Sequence, residues 1–216
     1  MNSRPRKRLT LDQRRIKILA AAARIFARKG YDGASMSAIA TAAGVTKPVL
    51  YDHFASKDAL FETLLYSIRD DLLAKGSLIG RSAASEELKF RAAVDAFFAF
   101  VEHQPEAAII LLIVPQGNPV TLGLSQAVQQ RATAAISRLL ESYLPAGGTW
   151  QYEAAGEFLK EGLHALAKWW LSHPGASRDE IVDLVMKVCW TGLRRRRSAP
   201  PGVRFESPSI PGKPCS

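Results

Sequence analysis

Residues 35–54 read SMSAIATAAGVTKPVLYDHF, and the order of these residues decides the fold. Ser35 is a good helix N-cap, Ile39 and Ala40 take inward positions, Gly44 ends a first short helix where a left-handed residue is wanted, and Thr46 caps a second. Pro48 falls in the first turn of that second helix, where its missing N–H loses no partner. Ala40 is small enough for the second helix to cross close above it, Gly44 makes the turn, and Val45 and Leu50 plug the space between. An alanine, a glycine four residues on and an apolar residue six beyond that is the spacing of a DNA-binding helix-turn-helix.

Working outward, Thr10, Leu11, Asp12 and Gln13 have the form of a capping box. Ile16, Leu19, Ala20, Ala23, Phe26 and Ala27 then recur at three- and four-residue steps, which predicts an amphipathic helix stopped at Gly30. Downstream, Ser56 is the N-cap of a helix running to about Lys75, and residues 76–85 are polar and small enough for a linker. Further helices are predicted over about 86–102, 105–114, 120–144, 151–172 and 177–193, separated by proline- and glycine-rich breaks such as Pro115, Gly117 and Pro119. No stretch alternates with period two over enough residues to suggest a sheet, so the expected fold class is all-α, with nine helices. The organisation that results is a disordered basic arm at 1–9, a three-helix helix-turn-helix DNA-binding domain at 10–56, a larger helical ligand-binding and dimerisation domain at 57–193, and a disordered basic tail at 194–216. The charge run of that tail reads either as a solvated segment or as a second DNA-contacting arm.

Composition narrows the function. The chain has 216 residues and 47% hydrophobic content, enough to fill a substantial core. Its net charge of +9 is uneven: residues 1–60 hold twelve Lys or Arg against four acids, residues 61–193 eleven against fifteen, and residues 194–216 six against one. A basic head on an acidic body is expected when one end meets a polyanion. Cys189 and Cys215 give neither a disulfide framework nor metal-ligand spacing, and the four histidines show no zinc pattern, so no metal and no cofactor are expected, and a reducing cytoplasm fits. Arg24 interrupts the one apolar run near the N-terminus, which argues against a secretory signal, and no segment approaches the ~20 apolar residues of a membrane span. Gly123, Leu124, Ser125, Gln126 and Ala127 approach a nucleophile elbow but lack the final glycine and the preceding strand, and no phosphate-binding glycine loop is present. An enzyme is not expected.

The stretch from Ile18 to Leu65, with "F…KGY", "IA…AGV", "LYDHF" and "SKDAL" in order, resembles the N-terminal domain of the TetR family, and "GLHALAKWWLSHP" and "CWTGL" are similar to the last two helices of many members. The resemblance implies a one-component transcriptional regulator and makes 47–53 its recognition helix. Lys47 would then donate to guanine O6 or N7, Pro48 and Val49 would offer apolar contact to a thymine methyl, and Thr46, Tyr51, His53 and Lys57 would sit against phosphates. Each has a plainer alternative: Thr46 as a cap only, His53 as a surface residue, Tyr51 as partly core. Phe54 reads as core. Asp52 departs from the pattern, either pointing away from DNA or answering a cytosine amino group.

In the penultimate helix Leu159, Leu163, Leu166 and Trp170 form one stripe and Phe158, Gly162, Ala165 and Trp169 the next, leaving a polar strip through Glu157, Glu161, His164 and Lys168. The last helix is as apolar, so the pair must bury two faces. A four-helix bundle with the same pair from a second chain satisfies this, and the family dimerises in that way. Two related reading helices require two related half-sites, hence a near-palindromic double-stranded operator. Leu65 and Ile68, on the helix that enters the body, and Phe97, Phe100 and Trp169 are candidates for an effector pocket, although aromatics at helical spacing equally read as core. With no charge cluster in the body's interior, the expected ligand is a small apolar effector. The function expected is that of a repressor released from its operator by this effector; the alternative is an activator or an effector-independent DNA-binding protein.

Overall fold

The computed structural model describes residues 10–113, 119–141 and 148–190; the arm expected at 1–9 and the tail expected at 194–216 lie outside them. Among the described residues every regular element is helical: α1 (Leu11–Gly33), α2 (Met36–Ala43), α3 (Lys47–His53), α4 (Lys57–Gly80), α5 (Glu86–His103), α6 (Pro105–Leu112), α7 (Pro119–Glu141), α8 (Thr149–Leu171) and α9 (Arg178–Val185), followed by a π-helical turn at Met186–Trp190. The all-α fold class read from the sequence is the one observed.

α1 opens on its capping box: Thr10 Oγ1 accepts from the Gln13 N–H at 3.2 Å, and the Thr10 N–H donates to Gln13 Oε1 at 3.1 Å. At its other end Gly30 takes φ +70°, so the expected stop is a kink, followed by one more turn. The buried face is Ile18, Ala22, Ile25 and Phe26. Ile16, expected inward, is 66% exposed, and Ala20 is exposed too. The phase differs because α1 packs on α2, α4 and α6 together, and the face opposite Ile16 is the one that meets them. α2 closes as expected: Gly44 is left-handed at φ 66°, ψ 34°, with Val45 N–H donating to Ala40 O at 3.0 Å and Gly44 N–H to Thr41 O at 3.1 Å. That is a Schellman closure, and it turns the chain into α3.

α4 overruns its expected end at Lys75 and reaches Gly80, so part of the supposed linker is helix. A single interior glycine such as Gly76 weakens a helix by only about 1 kcal/mol, too little to stop one already packed on α5 and α7. α5 and α9 are tied by ion pairs, Arg178 to Asp95 at 3.0 Å and to Glu102 at 2.5 Å, and Arg91 to Asp183 at 2.7 Å. α7 and α8 pack closely at Gly156, where an added Cβ would run into Ser137 Oγ and lie 3.1 Å from both Ser137 N and Thr133 O. Backbone atoms on the facing helix cannot step aside, so only glycine fits.

On α8 the expected stripe Leu159, Leu163, Leu166 and Trp170 packs on the core, but the buried face is wider than that stripe. Gly156, Lys160, His164, Ala167 and Trp170 are buried, while the supposed polar strip contributes His164 to the interior. Lys160 is 4% exposed and tolerates burial because Glu157 lies 2.9 Å and Glu161 3.3 Å from its ammonium. His164 stacks on Phe97 at 5.9 Å, and burial pushes its pKa down to about 4 against the pull of Glu161, so it is neutral. The apolar core runs without a break from the head, at Ile39 and Leu50, through Leu65 and Phe98 to Val182.

Candidate nucleic-acid interface and effector region

α3 is held from behind by Leu50, fully buried, and by its C-cap Phe54. Everything on its outer side is presented to solvent: Thr46, Lys47, Pro48, Tyr51 and Asp52 are exposed, with Val49 and His53 half-buried. Thr46 occupies the N-cap position with extended backbone, and Leu50 N–H donates to its carbonyl at 3.0 Å, but its side chain makes no capping hydrogen bond. The expectation that its hydroxyl caps α3 is corrected: Pro48 removes one of the N–H groups a cap would serve. Lys47 Nζ lies 5.9 Å from the Tyr51 ring one turn on, which sets a cation and a phenol on the same edge.

Two further cations act on aromatic rings of the head. The Arg15 guanidinium stands 4.6 Å over Phe54 and fixes the end of α3 to α1. The Lys57 ammonium stands 4.2 Å over Tyr31 and donates to Tyr31 O at 3.0 Å and Ala34 O at 3.2 Å. Tyr31 in turn stacks on Phe26 and meets Phe61 edge-on. Lys57, expected against a phosphate, also closes, in the absence of DNA, the chain segment that follows the Gly30 kink. Its partners are 26 and 23 residues away, and no local pattern in the sequence links them.

Of the five effector candidates, Leu65, Ile68 and Phe100 are buried and Phe97 is half-buried, on α4 and α5. Trp169 is not brought to them: it is 46% exposed and stacks on His173 at 4.2 Å. A cleft of about 980 Å³ opens between α7 and α8 beside Gln126, Arg138, Trp150 and Lys160, and a smaller concavity of about 230 Å³ lies at Ile109, Ile113, Lys168 and Leu171. None of the five lines either. Sequence reading passed over α7, where Thr121, Ser125 and Ser137 are buried polar residues. The available signal was a polar residue at every fourth position of an otherwise mixed helix. Among the described residues no three His, Cys, Asp or Glu side chains are grouped to hold a metal ion, and no helix is long and apolar enough to cross a membrane.

Residues 18–64 match the model of the bacterial regulatory proteins, tetR family. Over 191 residues, 86% of this chain and 85% of the other, the sequence is 31% identical to the HTH-type transcriptional activator FasR of Mycolicibacterium smegmatis. The fold superposes on a TetR-like transcriptional regulator from Rhodococcus sp. RHA1 with a TM-score of 0.73 at 26% identity, covering 87% of this chain and 99% of that one. It also superposes on the transcriptional regulator FadR from Bacillus subtilis, solved in complex with stearoyl-CoA, with a TM-score of 0.70 at 16% identity, covering 80% and 96%. At that identity the last likeness is one of fold.

Proposed function

This chain belongs to the TetR family of bacterial DNA-binding transcription regulators, and on that premise we propose that it is a homodimeric repressor that leaves a near-palindromic operator when a small apolar effector binds. The reading edge carries the proposal. Thr46, Lys47, Pro48, Val49, Tyr51 and His53 lie along one short helix whose opposite side is anchored by Leu50. In this reading Lys47 donates to a guanine edge, Pro48 and Val49 touch a thymine methyl, and Thr46, Tyr51 and His53 meet phosphates. Lys57 orients the head from within, and Asp52 points away from the duplex. Neither a metal, a cofactor nor a catalytic step has a part, and the site of action is the cytoplasm.

The dimer is supported by the outer faces of the last two helices. Phe158 is 78% exposed, and Trp169, Leu184 and Val188 are exposed with it, an apolar surface that a second copy of the same pair would cover. The effector reading is supported by the buried apolar side chains of α4 and α5 and by the long apolar acyl chain of the stearoyl-CoA bound to the Bacillus subtilis regulator of the same fold. An effector that binds the DNA-free state better by ~1–3 kcal/mol weakens operator binding roughly 5- to 150-fold. A second reading, activation, is favoured by one observation: the relative matched over 86% of this chain is named an activator.

Footprinting on DNA upstream of the protein's own and neighbouring genes, combined with transcription from the same fragments, tests both. A repressor protects a two-fold symmetric site and transcript falls as it fills; transcript that rises with occupancy establishes the activator. A footprint with no internal symmetry removes the dimeric reading. Lys47→Ala is expected to relax one base position by ~1–3 kcal/mol, and Tyr51→Ala to weaken all sequences alike.

A further inference from the structure

One ridge of α7 carries a polar residue at every fourth position: Thr121, Ser125, Gln129, Thr133 and Ser137. Towards the C-terminal end these groups are paired. Ser137 Oγ donates to Thr133 O at 2.8 Å, and Thr133 Oγ1 lies 2.6 Å from Glu157 Oε2 and 3.1 Å from Gln129 O. One and two turns earlier the same ridge behaves differently. Ser125 is 5% exposed, yet its hydroxyl does not bond back to the carbonyl one turn before it, as Ser137 does, and it has no hydrogen-bond partner among the described residues. Gln129 Oε1 is likewise buried and unpaired. The Gln129 amide is not free to turn over, because Nε2 donates to Leu111 O in the last turn of α6 at 2.9 Å. The buried Oε1 is therefore an acceptor of fixed direction.

Leaving two such atoms unpaired is costly, and native cores seldom keep them without a use. α7 packs on α4, whose Leu64, Leu65 and Ile68 are buried, so the unpaired groups sit on a helix that borders the apolar interior proposed for the effector. We propose that Ser125 and Gln129 form a hydrogen-bonding subsite for a single uncharged hydroxyl carried by an otherwise apolar effector. The chemistry selects that group. Gln129 Oε1 needs a donor, and the Ser125 hydroxyl can donate to the lone pairs of the same oxygen that satisfies Gln129. An ether, ester or ketone oxygen has nothing to donate to Oε1. A carboxylate or phosphate would bring a further buried charge to a place where α6 has no basic residue, Arg131 and Arg138 of α7 are exposed, and the buried Lys160 of α8 is already neutralised by Glu157 and Glu161. The subsite rests on the effector reading above and narrows it.

Decan-1-ol and its methyl ether, 1-methoxydecane, titrated into the full-length protein, test the proposal. The alcohol should bind about tenfold more tightly than the ether. In Ser125→Ala and in Gln129→Met the difference should shrink to within about threefold while the ether's own affinity is kept. Equal affinities in the wild type, or a preference unchanged in both variants, overturn the subsite and leave the apolar-effector reading standing; failure of both compounds to bind removes that reading and the subsite with it. A second measurement needs no ligand. Removing an unpaired buried hydroxyl should raise the melting temperature of ligand-free Ser125→Ala by about 2–4 °C. A lowered melting temperature would mean that the hydroxyl is already paired, and the subsite would fall.

Discussion

In residues 10–56 Ile18, Ile39 and Leu50 are fully buried, and cations face solvent or lie on aromatic rings, as Arg15 does on Phe54. In α7 and α8 the pattern is reversed: Lys160, His164 and Ser125 are buried, while Phe158 and Trp169 are exposed. The first region is complete as one chain, and DNA is added to its outside. The second leaves apolar surface uncovered and polar groups unpaired, as a segment does when a partner chain and a ligand finish it. Self-sufficiency and incompleteness can both be tested.

The largest effect is expected in the head. Leu50→Ala removes the one buried side chain of α3 and should cost ~3–5 kcal/mol. All four tryptophans, Trp150, Trp169, Trp170 and Trp190, lie in the body, so their fluorescence follows that region while far-UV circular dichroism follows both. At one protein concentration the variant should lose operator binding, with its dichroism midpoint falling further than its fluorescence midpoint. Coincident shifts would show that the continuous core welds the two regions into one unit, and the contrast would break.

The next effect belongs to the body. A histidine of ordinary pKa 6.5 takes up a proton in the unfolded chain, whereas His164 in the fold does so only near pH 4. Between these values the unfolded state binds more protons, so stability is whole above pH 6.5 and falls as the pH drops towards 4, by up to ~3 kcal/mol. Urea midpoints at pH 7 and pH 5 should separate in the wild type and draw together in His164→Phe, which keeps a ring against Phe97. Equal pH dependence in the two proteins would put the source elsewhere.

The smallest effect sharpens the account of the head. Lys57→Met should weaken operator binding by ~1 kcal/mol through loss of its two carbonyl bonds and the Tyr31 contact, without changing the slope of log affinity against log salt. Lys57→Arg should recover most of the loss. A slope shallower by ~0.9 would mean that the ammonium neutralises a phosphate after all.

These regions also differed in how much the sequence revealed, for a physical reason. Capping by Thr10, Ser35 and Ser56 and the left-handed Gly44 are local rules, acting within four residues, so the head could be read directly. The Lys57–Tyr31 contact joins residues 26 apart and follows no period. On α8 the hydrophobic pattern found the stripe that packs on the core, Leu159, Leu163, Leu166 and Trp170, but not Lys160 and His164, which enter the interior beside it with neighbours that neutralise or stack on them. On α4 composition at Gly76 and Ser77 suggested a break, yet the helix runs on through largely exposed positions to Gly80, because one interior glycine costs it too little to end it. Thr46 has the right residue type for a cap and the right backbone, yet the proline two residues on leaves its hydroxyl outside the cap.

The length of α4 has a geometric consequence. Its 24 residues span about 36 Å, with Leu64, Leu65 and Ile68 in the body and Lys57 fastened to the head. A rod of that length swung by about 5° around its far end carries its tip ~3 Å, close to the 3.4 Å that separates successive base pairs. In a two-fold pair the displacements oppose one another, and the distance between the tips changes by up to about twice that amount. A shift of a few degrees, small enough to follow one side chain changing its packing beside Leu65, therefore puts two reading helices out of step with the helical repeat of the duplex.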